Sequence, residues 1–432
     1  MKNTMLSNKV LKFLGICLML MVLLVSSIGA TTKTSVEQIL GSPVTISAYQ
    51  AAQNNTALND EEKIKVAIAA YFSSSYEGQK TLKSQDITPL IDDNTQTWVK
   101  KEKDKREIEQ YLGQIFDLKY KDYNFTLEYG SIDIKDKNAV VQLSESSEVV
   151  FESIAPEVSK KGNIPHVIAL HNKNDSWLIS KDDYQDELLD HLGEYSKEGI
   201  KNQIDENYQK ELKFKASSSS DRSQSGITLA SYSLSPMAYT LYSYNRTPAW
   251  QYADYYWNDS FNPAYRLDPS GNDCANFVSQ AINAGLTNAS SPTSAPSNAF
   301  FGPLGTWPPG DSNWSQQWYY KFYTSGSDLS YSASYAWERV SGQYNFITTN
   351  NWTKGPTGSE SESPFVLTIG DVIQIKIGSD FDHEGIVVGI NGDPTNWSNW
   401  WIDAHTTARY HYPLSYWMVY QWRGIHITGG YK

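Results

Sequence analysis

A serine-rich stretch, KASSSSDRSQSG at 215–226, most constrains how this chain can fold. It has too little apolar surface to join a core, so it reads as a linker over 215–227 between two folding regions. Composition changes across it. Twelve of the fourteen tryptophans lie beyond it, from Trp250 to Trp422, and lysine becomes scarce. With 432 residues, 40% hydrophobic and 13% aromatic, the chain has material for two or three packed regions. That composition argues against wholesale disorder.

The first thirty residues differ again. Lys2, Lys9 and Lys12 precede the apolar run FLGICLMLMVLLV, and SSIGA offers small residues for cleavage near Ala30. This is the pattern of a secretory signal peptide over 1–30. A membrane span needs about 20 apolar residues, and the run is shorter than that. No later stretch is long and apolar enough either, so no stable membrane insertion is expected once the signal is removed. Loss of its three lysines, with no acidic residue, takes the net charge from −12 to −15. Such a surface repels nucleic acid and carries no polybasic membrane patch. Cys17 lies inside the apolar run, so a mature chain keeps one thiol, Cys274. It has no internal disulfide, and a free thiol outside the cell calls for a use.

Residues 31–55 are polar and read as a tether. Over 56–214 an α+β domain is expected. DEEKIKVAIAAYFSS has apolar residues at helical spacing with Asp60, Glu61 and Glu62 in the first turn. KDKREIEQYLGQIFDL reads as a second helix. Four alternating runs follow, YNFTLEYGSIDI, AVVQLSESSEVVFESI, HVIALHNKND and SWLISKDDY, with NKND as a hairpin turn. The element order is similar to cone-shaped folds of the nuclear-transport-factor-like (NTF2) or cystatin kind. His166, His171 and His191 read as polar surface or edge residues. The domain's role is undefined by its sequence; covering the Cys274 cleft as a pro-segment is one option.

The region from 228 to 432 carries the chemistry. RLDPSGNDCANFVSQAINAGL has turn signals, then Asn272 and Asp273 as N-cap candidates, then an apolar helical stripe through Phe277, Val278, Ala281 and Ile282. Gly285 fits a C′ stop. Cys274 therefore sits at a helix start, where unpaired N–H groups and the dipole favour a thiolate and can hold an oxyanion. A thiol nucleophile needs a base. Downstream, DVIQIKI, HEGIVVGI and WWIDAHTT read as three strands, with His383 opening the second and His405 in the third. Antiparallel pairing of the last two makes facing residue numbers sum to about 790, which brings His405 within a diagonal step of His383. Period two puts Trp401, Asp403 and His405 on one face. His383 is then the base, oriented by His405 or, failing that, Asp403.

These blocks carry a resemblance. NDCANFVSQAINAGL, preceded by YNRTPAWQYADYYW and followed by GDVIQ, DHEGIVV and AHTT, resembles the bacterial putative amidase domain family over about 240–425. That family is similar to papain-like cysteine amidases and peptidases, including the NlpC/P60 and CHAP groups. The resemblance implies a papain-like catalytic domain, with Cys274 as nucleophile, His383 as general base and His405 as third polar residue. It implies no cofactor and no catalytic metal. The substrate it implies is a peptide or peptidoglycan amide, cut outside the cell. Asn272 and Glu384 depart from the family pattern, and a charge at Glu384 could raise the imidazole pKa.

Two rival readings have sequence support. Asp382, His383, Asp403, His405 and His411 could supply zinc ligands for a zinc-dependent amidase, though without a ligand-spacing motif. GTWPPGDSNWSQQWYYKFY (305–323) has aromatics suited to stacking on sugars, as in a catalytically inactive wall- or glycan-binding protein.

Overall fold

A computed structural model describes residues 43–218, 240–258, 262, 265, 273–294, 317–325, 328–350 and 353–432, with main chain only for 96, 218 and 321–332. In chain order the elements begin with α1 (Ile46–Gln53), α2 (Asp60–Thr81), α3 (Gln96–Phe116), β1 (Tyr120–Lys135), β2 (Asn138–Phe151), β3 (Ser159–Lys173) and β4 (Ser176–Asp183). Then come α4 (Glu187–Glu194), α5 (Lys197–Ser218), β5 (Leu241–Ser243), α6 (Arg246–Tyr256), α7 (Cys274–Thr287), β6 (Tyr320–Ser325), β7 (Asp328–Ala333), α8 (Tyr335–Glu338) and α9 (Val340–Thr349). The chain closes with β8 (Gly355–Ser361), β9 (Val372–Ile377), β10 (Asp380–Ile390), β11 (Trp400–Ala404), β12 (Ala408–Pro413) and β13 (Gln421–Tyr431). The fold is α+β, built on a large antiparallel sheet. Among the described residues, no helix is long and apolar enough to cross a membrane.

Local chemistry explains the first half. Asn59 and Glu62 form a reciprocal capping box at the start of α2, with Asp60, Glu61 and Glu62 on its positive end. β1 to β4 form a meander. Its β3–β4 turn is Asn174–Asp175, with φ of 55° and 64°, the left-handed pair that a two-residue hairpin needs. Residues 46–53, expected within a tether, instead form α1. Thr45 caps it, and Tyr49 and Ala52 are buried, with the Tyr49 hydroxyl donating to the Trp177 carbonyl. Residues 215–218 end helix α5; the rest of the expected linker and the expected signal peptide lie outside the described residues.

The two halves share one sheet. Its order is β1-β2-β3-β12-β11-β10-β9-β13-β5, with β4 also on β3 and β8 also on β13. The join is β3 against β12, where Lys160, Lys161 and Gly162 pair with Tyr410, Arg409 and Ala408. The C-terminal strands are covered on both faces. One face packs Ile373, Ile375, Val387 and Ile402 against Ile108, Leu112, Leu188, Ile200 and Ile204 of α3, α4 and α5. The other packs Val372, Ile386, Val388, Ile425 and Ile427 against α6, α7 and α9 through Ala249, Phe277, Val278, Ala281, Ile282 and Phe346. α4 and α5, which the sequence reading did not assign, supply part of the first face. Residues 43–432 accordingly form one compact unit.

His166 and His191, expected at the surface, are 2% and 5% exposed. His166 lies between Asp182, which its Nδ1 meets at 2.9 Å, and Glu145, 3.6 Å from its Nε2. His191 packs against Tyr195 and Tyr420. His171 is half-exposed and pairs with Asp92 at 3.1 Å.

Candidate active site

Cys274 is the first residue of α7, and Asp273 is the N-cap. The Asp273 carboxylate is held from two sides: Asn276 Nδ2 donates to Oδ1 at 2.7 Å, and His405 Nδ1 meets Oδ2 at 2.8 Å. Helix α7 runs to Thr287, and Asn288 takes the left-handed φ of 51° at its end. Gly285, expected as the C′ residue, lies inside the helix. A Cβ there would come within 2.2 Å of the Tyr244 ring, so close packing selects the glycine.

Cys274 is 4% exposed. Its sulfur packs against the main chain of β10, with Sγ 3.9 Å from the Asp382 carbonyl oxygen. A cleft of about 550 Å³ opens over it, lined by Arg339, Tyr344, Phe381, Asp382 and Arg423 among others. The Arg423 guanidinium lies 4.0 Å from the Phe381 ring centre and 3.4 Å from that of Tyr344.

The thiol differs from the expectation for a helix start. Burial pushes it up to about 12, and the Glu384 carboxylate adds to the shift. Hydrogen bonds from the Glu384 and Ala275 N–H groups pull the other way but do not overcome burial. Glu384 is itself buried and pushed up to about 8, with Gln374 Nε2 donating to it at 2.5 Å.

His383 follows Asp382 on β10, and its side chain leaves on the face away from Glu384. Its ring meets Trp417 edge-on at 5.4 Å. Its Nε2 lies 3.8 Å from Glu187 Oε1, and neither atom has a hydrogen-bond partner. Burial drives the imidazole down to about 4. Glu187 opposes that, and Arg409 reinforces it. Glu187 is already committed to Arg409 Nη2 at 2.7 Å, and Arg409 is the main force holding its carboxyl at about 2 against burial. The imidazole therefore falls, where a charge at Glu384 was expected to raise it. No hydrogen bond joins the sulfur to the imidazole.

The β10–β11 register matches the expected sum: Ile386 faces Asp403, and Gly389 faces Trp401. Pairing stops there, so His405 and His383 do not meet. His405 sits in the turn after β11, stacked on Phe277 with ring centres 3.9 Å apart, and its Nε2 bonds the Tyr256 carbonyl at 2.5 Å. Its contacts anchor Asp273, next to Cys274, and do not reach His383. Asp403 does not reach His383 either; its Oδ1 accepts the His411 N–H at 2.7 Å. The five expected zinc ligands are likewise dispersed: Asp382 lines the cleft, His383 meets Glu187, His405 meets Asp273, and only Asp403 and His411 come together.

Sequence reasoning missed Glu187, Arg409 and Gln374, the buried partner of Glu384. Glu187 lies far from Cys274 along the chain, and no local pattern marks it. Asp273 was marked only as a cap; its pairing with His405 needed the fold.

Residues 243–428 match the family model described as putative amidase domain. The match runs from the end of β5 into β13 and covers less than half of the chain; the N-terminal helices and β1 to β4 lie outside it. No curated protein and no solved structure matches the chain. The match supports an amidase-like family and hydrolase chemistry for the C-terminal part.

Proposed function

We propose that the protein is a cysteine-dependent amide hydrolase with Cys274 as nucleophile. One observation carries this reading. Within the amidase-like segment, the chain's buried free thiol begins a helix and lines an open cleft. His383, the base that the resemblance implies, heads the strand against which the sulfur packs, but its resting ring points to the opposite face toward Glu187, so this role requires the ring to turn toward the thiol.

The mechanism follows from the protonation states. A thiol near 12 and an imidazole near 4 are both neutral at pH 7. Moving the proton at rest would cost on the order of 10 kcal/mol. Transfer is therefore coupled to attack. As sulfur bonds to the amide carbon, its proton passes to the base, His383 once its ring has turned from Glu187 toward the sulfur, and charge develops on the carbonyl oxygen. Main-chain N–H groups at the helix start receive that charge. The imidazolium then protonates the leaving amine, the C–N bond breaks, and water hydrolyses the thioester to release acid and free thiol. Glu187 faces the resting His383 ring from the side away from Cys274. His405 positions the nucleophile through Asp273.

Glu384 supports a second assignment of the base, because its carboxylate raises the thiol pKa while His383 faces Glu187. The cleft is lined by Arg339 and Arg423 as well as Glu338, Asp380 and Asp382. Both signs of charge suit a peptide with charged ends or side chains. With the signal-like start of the chain, this makes bacterial cell-wall peptides outside the cell the preferred substrate.

Amine release from peptidoglycan-derived peptides tests the proposal. Cys274→Ala is expected to abolish release, and mass spectrometry of wild type should find an acyl group on Cys274. Full activity in Cys274→Ala would overturn the cysteine mechanism. Loss in Glu384→Gln with retention in His383→Ala would move the base to Glu384. Equal binding to wall material by both proteins, with no amine released, would favour a binding module.

A further inference from the structure

A second polar cluster lies outside the Cys274 cleft. Asp254 of α6, Asp403 of β11 and His411 of β12 each turn a ligand atom inward, and these atoms lie within 4.8 Å of one another. His411 Nε2 and Asp254 Oδ1 are 3.1 Å apart. Two ligands held at about 2.0 Å by one tetrahedral zinc are separated by roughly 3.3 Å, so this edge needs little adjustment. Asp403 is 0% exposed, and its Oδ2 has no hydrogen-bond partner. A buried carboxylate oxygen with no partner is costly, and it belongs to this cluster.

The surroundings fit a cation. Glu157 Oε1 meets His411 Nδ1 at 2.5 Å. A carboxylate on the far nitrogen is the usual support of a metal-binding histidine, since it orients the ring and increases its basicity. His411 is held at a φ of 51°, with its ring stacked on Trp401 and Tyr410. Among the described residues, no lysine or arginine forms an ion pair with Glu157, Asp254 or Asp403. Three carboxylates therefore surround a single imidazole, which can set at most one positive charge against them.

We infer that Asp254, Asp403 and His411 form a divalent-cation site, with zinc the best fit. One imidazole and two carboxylates suit zinc better than calcium or magnesium, which favour oxygen donors alone. None of the three lines the Cys274 cleft, so the role is structural. The ion would tie Glu157, in the β2–β3 connection, to α6 and to the β11–β12 hairpin. These elements flank the seam where β3 meets β12.

The test uses the full chain carrying Cys274→Ser, so that the thiol cannot take the metal. After chelation and dialysis, zinc chloride is titrated while bound zinc and melting temperature are followed. One zinc per chain and a rise in melting temperature are expected. Asp254→Asn, at a partly exposed position that should leave the fold intact, is expected to weaken binding at least about tenfold, and Glu157→Gln about 10–100-fold. Zinc uptake well below one per chain, with no change in melting temperature, would mean that protons alone satisfy the cluster and would overturn the site. So would uptake of equal affinity in Asp254→Asn.

Discussion

Two buried histidines in the shared sheet reach opposite states. His166, in the N-terminal meander, is pushed up to about 9; burial opposes this, but hydrogen bonds and charge from Asp182 and Glu145 win. His383, in the C-terminal strands, falls to about 4 because burial wins. Both have a carboxylate nearby. The difference is what that carboxylate is already doing. Glu145 and Asp182 face His166 with no ion pair to lysine or arginine, whereas Glu187 is paired with Arg409 at 2.7 Å. A guanidinium that has claimed the carboxylate leaves the imidazole to be governed by desolvation. One site stores a charge, and the other keeps a neutral lone pair available to accept a proton.

The largest test concerns what the neutral pocket is for. Cys274→Ala is expected to lower amide hydrolysis by at least about 1,000-fold, roughly 4 kcal/mol in barrier, while circular dichroism stays native. Unchanged turnover would leave the neutral His383 without a catalytic purpose.

Next is the carboxylate that distinguishes the two histidines. Glu187→Gln strands Arg409 in the interior and is expected to cost about 3–5 kcal/mol in urea unfolding, while His383 stays below its ordinary pKa. Asp182→Asn should drop His166 from about 9 toward or below the ordinary value of 6.5. Histidine NMR titration reads both. A His166 that stays near 9 in Asp182→Asn would break the comparison.

The pH dependence of stability should then have two limbs. The His166 contribution is fully present below pH 6.5 and is lost as pH rises from 6.5 through about 9. For His383 the sign reverses: the folded state binds its proton less readily than the unfolded one. Its stability is full above pH 6.5 and falls as pH drops from 6.5 through about 4. His191, pushed down to about 4 by burial, adds to the acid limb. Each limb is worth about 3 kcal/mol per histidine. His166→Gln should flatten the alkaline limb only, and an alkaline limb that survives in it would assign that slope to another group.

The smallest effect is at the thiol. Iodoacetamide should label Cys274 slowly at neutral pH. Glu384→Gln removes the second cause of the raised thiol pKa and should speed labelling about tenfold, one pKa unit. No change would mean that burial alone controls the sulfur.

Much of this architecture can be read from local pattern. The β1–β4 runs, the Asn174–Asp175 turn, the capping residues of α2 and the helix start at Cys274 all depend on neighbours within a few positions. The β10–β11 register also emerges, because a short loop between two strands leaves few ways to pair them. The candidate site was legible only in its parts. Cys274, His383 and His405 were singled out by residue type and place, yet their partners were not. His405 meets Asp273 and Tyr256 because β11 ends at Ala404 and the chain turns. His383 meets Glu187 because N-terminal helices cover the back of the C-terminal strands.

The sequence by itself determined part of the helix and strand assignment, α2, α3, α7, β1 to β4 and β9 to β11, as well as where the thiol sits on its helix and which residues can carry chemistry, since these follow from short-range sterics, capping and periodicity. Only the tertiary structure decided that both halves share one sheet, and that Glu187 faces His383. It also decided that the Cys274 thiol lies near 12 and not below its ordinary value. Those outcomes depend on burial and on charges brought together from distant parts of the chain, and desolvation inside a packed core outweighs the helix-end field that local sequence can supply.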